Sequence, residues 1–200
     1  MKLTIATNNI NLETKTGTSL DSATVDSAKG AGAVSELRAI FSTCRKYRYS
    51  LVRLVPVTFS FTDRKWIGPQ VQFIGLNPST ADEVKDDPTI RRCVGFASSF
   101  GFTRLCMTNL FAFRETSPRK MMVEPDPVGP DNDKWLCDIA AQSGLIICAW
   151  GTSGIHHNRA AVVKDMLRGR GYKLHCLRKT DCGEPSHPLY LPKELEPIEL

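Results

Sequence analysis

The chain lacks any long apolar run, and this absence bears on where the protein works. No segment approaches the roughly 18 consecutive apolar residues of a membrane-spanning helix. Residues 1–20 also lack the basic start and apolar middle of a secretory signal. We therefore expect a cytoplasmic protein with no membrane partner. With 200 residues and 42% hydrophobic content, one domain of ordinary size can bury its own core.

Paired cysteines are also missing. The seven cysteines make an odd count without any Cys-x-x-Cys spacing, and several lie inside apolar runs such as residues 145–149. Reduced, buried thiols explain this pattern better than disulfides do. A zinc or iron–sulfur site built from distant cysteines is the weaker alternative. Because the adjacent His156 and His157 point in different directions, they do not predict a metal site either, and we expect no metal and no cofactor.

Three common catalytic signatures are absent. The chain has no Gly-x-x-x-x-Gly-Lys phosphate loop and no Gly-x-Gly-x-x-Gly after a strand, which disfavours the use of nucleoside triphosphates or dinucleotides. Residues 151–154 read Gly-Thr-Ser-Gly, which is not the Gly-x-Ser-x-Gly turn of serine hydrolases. Any chemistry must therefore come from other polar side chains.

The chain does contain an alternation of apolar runs and helical patterns. Short apolar runs at residues 71–76, 105–111, 145–150 and 172–177 predict four strands, with helices between them at residues 87–100, 135–140 and 159–167. This alternation favours an α/β fold, a three-layer α/β/α sandwich around a mainly parallel four-stranded sheet.

The front of the chain follows a different pattern. Residues 1–33 predict a weakly ordered tail, because they are polar and show little apolar periodicity, and one domain is expected over residues 34–200. Residues 34–43 have the spacing of a short helix. Residues 47–54 and 57–61 are rich in β-formers and predict an N-terminal hairpin or a pair of edge strands.

Polar groups follow each of the four predicted strands. Asn77 comes after the first strand, Asn109 near the end of the second, the Gly-Thr-Ser-Gly turn after the third, and His187 after the fourth. Parallel sheets bind ligands at the carboxyl ends of their strands, so we expect these groups to converge. The alternatives are an ordinary Asn-Pro turn for Asn77 and a solvated loop histidine for His187.

Positive charge is concentrated in one segment. Residues 159–179 contain seven Lys or Arg and a single Asp, within a chain of net charge +5. Such a segment suits a polyanion such as nucleic acid, because each cation near a phosphate displaces a counterion. A solvated helix face explains the same charges equally well.

Four motifs in a fixed order carry a resemblance to a known family. They are GLNPSTAD at residues 75–82, DDPTIRRC at 86–93, TNLFAFR at 108–114 and DPVGPDND at 126–133. Over residues 39–192 the chain resembles an uncharacterised domain family of bacteria and phages. That family in turn resembles a distant branch of the uracil-DNA glycosylase superfamily.

Four short motifs link the chain to that superfamily. Gly-Leu-Asn-Pro resembles the water-positioning motif of the mismatch-specific branch, which has Asn where other branches have Asp. Residues 108–110 resemble the strand whose Asn reads the base edge, and residues 149–151 resemble the exit of the third strand. Residues 186–189 resemble the histidine loop that presses into the minor groove.

The resemblance implies a role for each matching residue in a glycosylase-like domain. Asn77 would orient water and His187 would face the departing base. An Asn cannot act as a general base, so we expect slow turnover unless Asp82 or Asp87, the other two candidate catalytic residues, reaches the water. Asn109 can both donate and accept, as a Watson–Crick edge requires. The other expected base contacts are Gly75, Leu76, Pro78 and Ser79. The expected DNA contacts are Gly151, Thr152, Ser153, Arg159, Lys164, Ser186, Pro188 and Leu189.

Two departures from the superfamily refine the expected activity. The iron–sulfur cysteines of some branches have no counterpart, and the aromatic residue that guards the pyrimidine C5 position in strict uracil enzymes falls near Ser79. We therefore expect a monomeric DNA glycosylase that removes a flipped damaged or 5-substituted pyrimidine, for repair or for defence against phages with modified bases. The alternatives are a catalytically weak nucleic-acid-binding module and an enzyme that cleaves or transfers free nucleosides or nucleotides.

Overall fold

The computed structural model describes residues 38–56, 69–79, 81 and 85–200. Its strands are β1 (Arg38–Phe41), β2 (Arg48–Leu54), β3 (Gln70–Gly75), β4 (Arg104–Asn109), β5 (Leu145–Cys148), β6 (His175–Cys176) and β7 (Ile198–Glu199). Its helices are α1 (Pro88–Ser99), α2 (Pro118–Met122), α3 (Asn132–Ala140) and α4 (Arg159–Arg168), and short 3-10 segments cover Thr152–Asn158 and Pro188–Tyr190. The predicted tail and the predicted strand at residues 57–61 lie outside the described residues. No described helix is long and apolar enough to cross a membrane.

The strands form one open, mixed sheet in the order β1-β2-β4-β3-β5-β6-β7. The four strands predicted from the apolar runs, β3 to β6, are parallel neighbours in this sheet. Two antiparallel strands extend it beyond β4, and β7 extends it antiparallel beyond β6. The sheet therefore has more strands than the four predicted for it, because strands at both edges join it through backbone pairing.

Residues 38–41 form a strand, so the helix predicted for residues 34–43 is wrong over this part. The backbone of β1 pairs antiparallel with β2 across a short turn. Ile40 packs against a small cluster of Tyr47, Tyr49 and Ala112. So few apolar positions are compatible with a helix or with a strand, and here pairing with the edge of β2 stabilises the strand.

Helix α1 begins and ends where the sequence predicts. The side chain of Asp87 accepts a hydrogen bond from the N–H of Ile90 at 2.8 Å, and Pro88 takes the first turn. The helix ends at Phe100, and Gly101 follows in the left-handed region at φ 78°. A capping carboxylate, a proline at the start and a glycine after the end are strong local signals for helix limits.

Helices cover both faces of the sheet. On one face, Phe73 of β3 and Ile147 of β5 share a buried cluster with Phe96 of α1. On the other face, Ile74 of β3 shares a second cluster with residues of α3 and α4, among them Val163. Strand β3 lies between β4 and β5, so the strand order reverses beside it. In open α/β sheets, the carboxyl end of such a strand is where ligands bind.

Candidate active site

A cavity of about 340 Å³ lies at the carboxyl end of β3. Its size is at the lower end of the range for small-molecule sites, which suits a single nucleoside. The lining comes from the ends of β3, β4 and β5, the start of α1 and the loop before residues 188–190. The predicted site residues that line it are Gly75, Leu76, Asn77, Ser79, Asp87, Asn109, Gly151, Thr152, Ser153 and His187. The structure thus brings together polar groups that lie far apart in the chain.

The side chain of Asn77 is fixed by the loops around it. Its Nδ2 donates to the carbonyl oxygen of Glu115 at 2.5 Å and to that of Pro78 at 3.3 Å. The N–H of Glu115 donates back to the Pro78 carbonyl at 3.0 Å. Because Nδ2 is committed to the loop, the group that Asn77 can offer to the cavity is the acceptor Oδ1. It can orient a water molecule but cannot take its proton.

Asn109 presents an unpartnered donor to the cavity. It is 1% exposed, and its Nδ2 has no hydrogen-bond partner among the described residues. A Cβ on Gly75 would lie 2.9 Å from Asn109 Oδ1 and 2.6 Å from Met107 Cε, so only glycine leaves room for the amide. A buried donor without a partner costs about 1–3 kcal/mol. Since this donor lies at the cavity, a ligand there can supply the missing acceptor.

Two side chains hold the end of β4 in place. Asn132 Nδ2 donates to the carbonyls of Asn109 at 3.1 Å and Leu110 at 2.9 Å. Arg159 Nε also donates to the Leu110 carbonyl at 2.9 Å, and its Nη2 pairs with the Asp133 carboxylate. Arg159 is only 6% exposed. The sequence predicts a DNA contact for Arg159, but this side chain is buried and supports the backbone beneath Asn109.

The loop that carries His187 is built as a small hairpin. The Ser186 N–H donates to the Arg178 carbonyl at 2.7 Å, and the Gly151 N–H donates to the Pro185 carbonyl at 2.8 Å. Gly151 has φ 72°, and a Cβ there would lie 3.7 Å from the His187 Cβ. The histidine is thus packed against the exit of β5, which places it at the cavity.

The hydrogen bonding of His187 indicates which ring nitrogen carries the proton. Its Nδ1 accepts from the Leu189 N–H at 3.4 Å. The neutral ring then carries its proton on Nε2, which can donate to a ligand. His187 as a whole is exposed to solvent. Partial desolvation by its neighbours lowers the pKa of His187 below its ordinary value of 6.5, although the nearby charge of Asp87 acts in the opposite direction.

The two aspartates predicted as candidate bases differ in what the structure says of them. Asp87 is buried, lines the cavity and uses Oδ1 to cap α1. It lies close enough to His187 for its charge to influence that ring. Asp82 lies outside the described residues. Asp87 is therefore the carboxylate of the predicted set that the structure places in the site.

Sequence reasoning missed two charged residues of the lining, Arg48 and Glu115. Arg48 starts β2, is 2% exposed and donates to the Ala81 carbonyl. The pKa of Glu115 is lowered chiefly because the backbone N–H of Ser117 donates to its carboxylate, at 3.0 Å. The signal that points to Arg48 is an arginine at the first position of a strand rich in β-formers.

The other predicted residues lie beside the cavity or away from it. Lys164 pairs with Glu184 at 3.3 Å, and Glu184 also accepts from Trp150 Nε1 at 2.7 Å. This network fixes the wall of the cavity that Trp150 provides. Four further predicted residues shape loops without contributing to the described lining: Pro78, Ser186, Pro188 and Leu189.

These features define an α/β protein with a nucleoside-sized polar cavity at the point where its strand order reverses. A family model described as "Protein of unknown function (DUF1643)" matches residues 48–189, and the chain belongs to this family. The matched span includes every described residue of the cavity lining. No curated protein and no solved structure matches the chain. Within the described part of the chain, no group of three or more His, Cys, Asp or Glu could hold a metal ion.

Proposed function

We propose that this chain is a DNA glycosylase that hydrolyses the N-glycosidic bond of a flipped pyrimidine carrying a substituent at C5. The observation that carries this proposal is the buried, unpartnered Nδ2 of Asn109, which shares one cavity with the acceptor of Asn77 and the donor of His187. A pyrimidine edge presents both donors and acceptors. An amide that offers one of each is suited to reading that edge.

The chemistry follows from where charge develops. As the bond between C1′ and the base nitrogen breaks, its electron pair leaves with the base, and His187 Nε2–H stabilises that negative charge. Water, oriented by Asn77 Oδ1, forms the new bond to C1′. The proton that this water loses passes to the Asp87 carboxylate or to solvent. The negative charge of Asp87 also favours the oxocarbenium-like sugar in the transition state.

The fold supports the same proposal. A parallel set of strands with helices on both faces is the architecture that the resemblance to the uracil-DNA glycosylase superfamily implies. The residues that resemble its water-positioning, base-reading and histidine motifs all meet at the cavity. This convergence supports the proposal that the family is a distant branch of that superfamily.

The substrate proposal rests on Ser79. This half-buried residue lines the cavity and also borders a second groove that opens beside it. A hydroxymethyl side chain cannot fill the space that an aromatic ring would occupy. A substituent on the base therefore has room to extend past Ser79. Activity of this kind would serve the repair of damaged pyrimidines or an attack on phage DNA with modified bases.

A screen for released bases tests the proposal. Matched oligonucleotides would carry uracil, thymine mispaired with guanine, 5-hydroxymethyl pyrimidines and their glycosylated forms, with base release followed by mass spectrometry. Release of the 5-substituted bases is expected, with Ser79→Tyr blocking it and Ser79→Ala serving as the small-residue control. The C5 argument is wrong if only plain uracil is released and Ser79→Tyr changes nothing.

The same assay separates the proposal from its alternatives. Activity on free nucleosides but not on oligonucleotides would indicate an enzyme of nucleoside metabolism. DNA binding without base release from any substrate in single-turnover experiments would indicate a binding module. Either result would replace the glycosylase assignment.

A further inference from the structure

A second, shallower groove of about 490 Å³ adjoins the cavity. The two share Ser79, Glu115 and Thr116 in their linings. Beyond these shared residues, the groove is lined by Arg45, Lys46, Phe113 and Arg114, and we refer to it as the basic groove. A ligand that occupies the cavity therefore has a continuous path into a positively charged surface.

Two of its cations are held in a fixed arrangement. The guanidinium carbons of Arg45 and Arg114 lie 4.2 Å and 4.8 Å from the ring centre of Phe41. Arg114 Nη1 also donates to the Arg45 carbonyl at 3.3 Å. Its Nε is buried without a hydrogen-bond partner among the described residues. A buried guanidinium nitrogen without a partner is a donor that a phosphate oxygen can satisfy.

Two carboxylates in the described part of the chain lie close to the groove, those of Glu115 and Glu124. Glu115 Oε1 is occupied by the Ser117 N–H and the Thr116 hydroxyl. Lys46 pairs with Glu124 at 2.6 Å, but the lysine side chain is 42% exposed. Exposed pairs of this kind contribute about 0–1 kcal/mol. A phosphate can therefore compete for Lys46 at little cost.

The segment at residues 159–179, by contrast, directs several of its cations elsewhere. Arg168 donates to the Leu200 carbonyl at 2.6 Å, and Arg170 donates to the Met166 carbonyl at 2.9 Å. Lys173 lies 3.7 Å from the Glu199 carboxylate. None of these residues lines the described cavity or the basic groove.

We propose that the basic groove binds the phosphodiester backbone next to the nucleotide whose base enters the cavity. Its two arginines suit phosphate because a guanidinium offers several donors in a fixed plane. Backbone contacts of this kind fix the register of a nucleic acid without reading its sequence. The identity of the cavity ligand rests on the proposed glycosylase function, whereas phosphate binding by the groove is measured without it.

Two groove variants and two matched controls test the proposal. Arg45 has φ 56°, a conformation that Asn tolerates, so Arg45→Asn removes the charge without straining the backbone. Lys46→Gln removes a lysine from an exposed ion pair. Lys134→Gln is its match, because Lys134 also pairs with an acid, Asp138, at 2.5 Å. Arg170→Gln is the match for the exposed arginine.

Binding of unmodified single-stranded and duplex oligonucleotides is followed by fluorescence anisotropy at several salt concentrations. Each groove variant should reduce the slope of log K against log salt by about 0.9, equivalent to about an eightfold loss of affinity at about 0.1 M salt. The controls should match the wild type. Thermal melting checks that each variant folds. If Arg45→Asn does not fold, Lys46→Gln still tests the proposal, because Lys46 is exposed.

Four results would overturn the proposal, and the first three concern unmodified DNA. They are an absence of DNA binding, a salt slope that the groove variants leave unchanged, and an equal loss in the controls. An effect confined to DNA with an anionic base substituent would also overturn it, because the groove would then bind the substituent. Base release is measured on the same DNA. Groove-dependent binding without base release would contradict the glycosylase function and support phosphate binding by the groove. Base release that the groove variants leave unchanged would support the glycosylase function and contradict phosphate binding by the groove.

Discussion

Replacing Asn109 by Ala should make the protein more stable and at the same time inactivate it. The substitution removes a buried donor that has no partner in the described structure. It also leaves no enclosed void, because Asn109 lines an open cavity. A residue whose loss is favourable for folding but harmful for activity is retained for its ligand.

The size of the effect follows from the burial of the amide. An unpartnered donor costs about 1–3 kcal/mol, and solvent in the cavity offsets part of this cost, so we expect a gain of about 1 kcal/mol. For a chain of this length, that gain raises Tm by about 2–4 °C. Base release should fall by about 10–100-fold, because the lost hydrogen bonds to the base edge are worth about 1–3 kcal/mol.

Asn132 provides the matched control at the same edge of the sheet. Its amide is also buried, but its Nδ2 holds the carbonyls of Asn109 and Leu110. Asn132→Ala should therefore destabilise the protein by about 1–3 kcal/mol, because the Asn109 carbonyl loses this donor and the Leu110 carbonyl keeps only Arg159. Both variants are compared by urea unfolding and by single-turnover base release. A destabilised Asn109→Ala protein that releases bases at the wild-type rate would refute the reasoning.

Three further predictions follow from the site. Because burial lowers the pKa of His187 and the neutral ring is the active form, base release should be constant at neutral pH and fall only on acidification below 6.5. His187→Gln should remove this pH dependence. A pH–rate profile that rises towards acid would contradict the prediction. Arg159→Gln should lower the free energy of unfolding by about 1–3 kcal/mol in denaturant titrations and leave the salt slope of DNA binding unchanged. A lower slope would show that Arg159 contacts DNA. Gly75→Ala should cost about 1–3 kcal/mol of stability and reduce base release by displacing Asn109. Gly95→Ala should do neither, because an added Cβ there meets no heavy atom within 4 Å, and equal behaviour of the two variants in melting and release assays would count against the close fit.

The parts of the fold that the sequence predicts correctly depend on local signals. Asp87 and Pro88 mark the start of α1 through a capping side chain and a fixed φ, and both act within one turn. The four apolar runs give parallel strands because they alternate with helices. The meeting of Asn77, Asn109 and His187 at one cavity then follows from topology, since parallel strands end at the same edge.

The parts that sequence reasoning misses depend on distant partners. Residues 38–41 become a strand only because the edge of β2 is available to pair with them. Arg159 counts as a surface charge in any tally of composition, but the Leu110 carbonyl binds it inside the protein. Arg48 reaches the cavity from a strand outside the parallel set. Propensity and charge patterns contain no record of these pairings.

The basic residues of the groove and the amides of the cavity come from different segments of the chain, because of the direction of β2. Because β2 runs antiparallel to β4, its beginning lies beside the end of β4, and the turn before it arrives at the same edge as the cavity. That turn brings Arg45 and Lys46, and the strand begins with Arg48. The parallel strands meanwhile supply the amides, and the loop after β6 supplies the imidazole. Under the proposed function, exchanging the turn alone would change how tightly the phosphate backbone is held and leave the proposed catalytic groups in place.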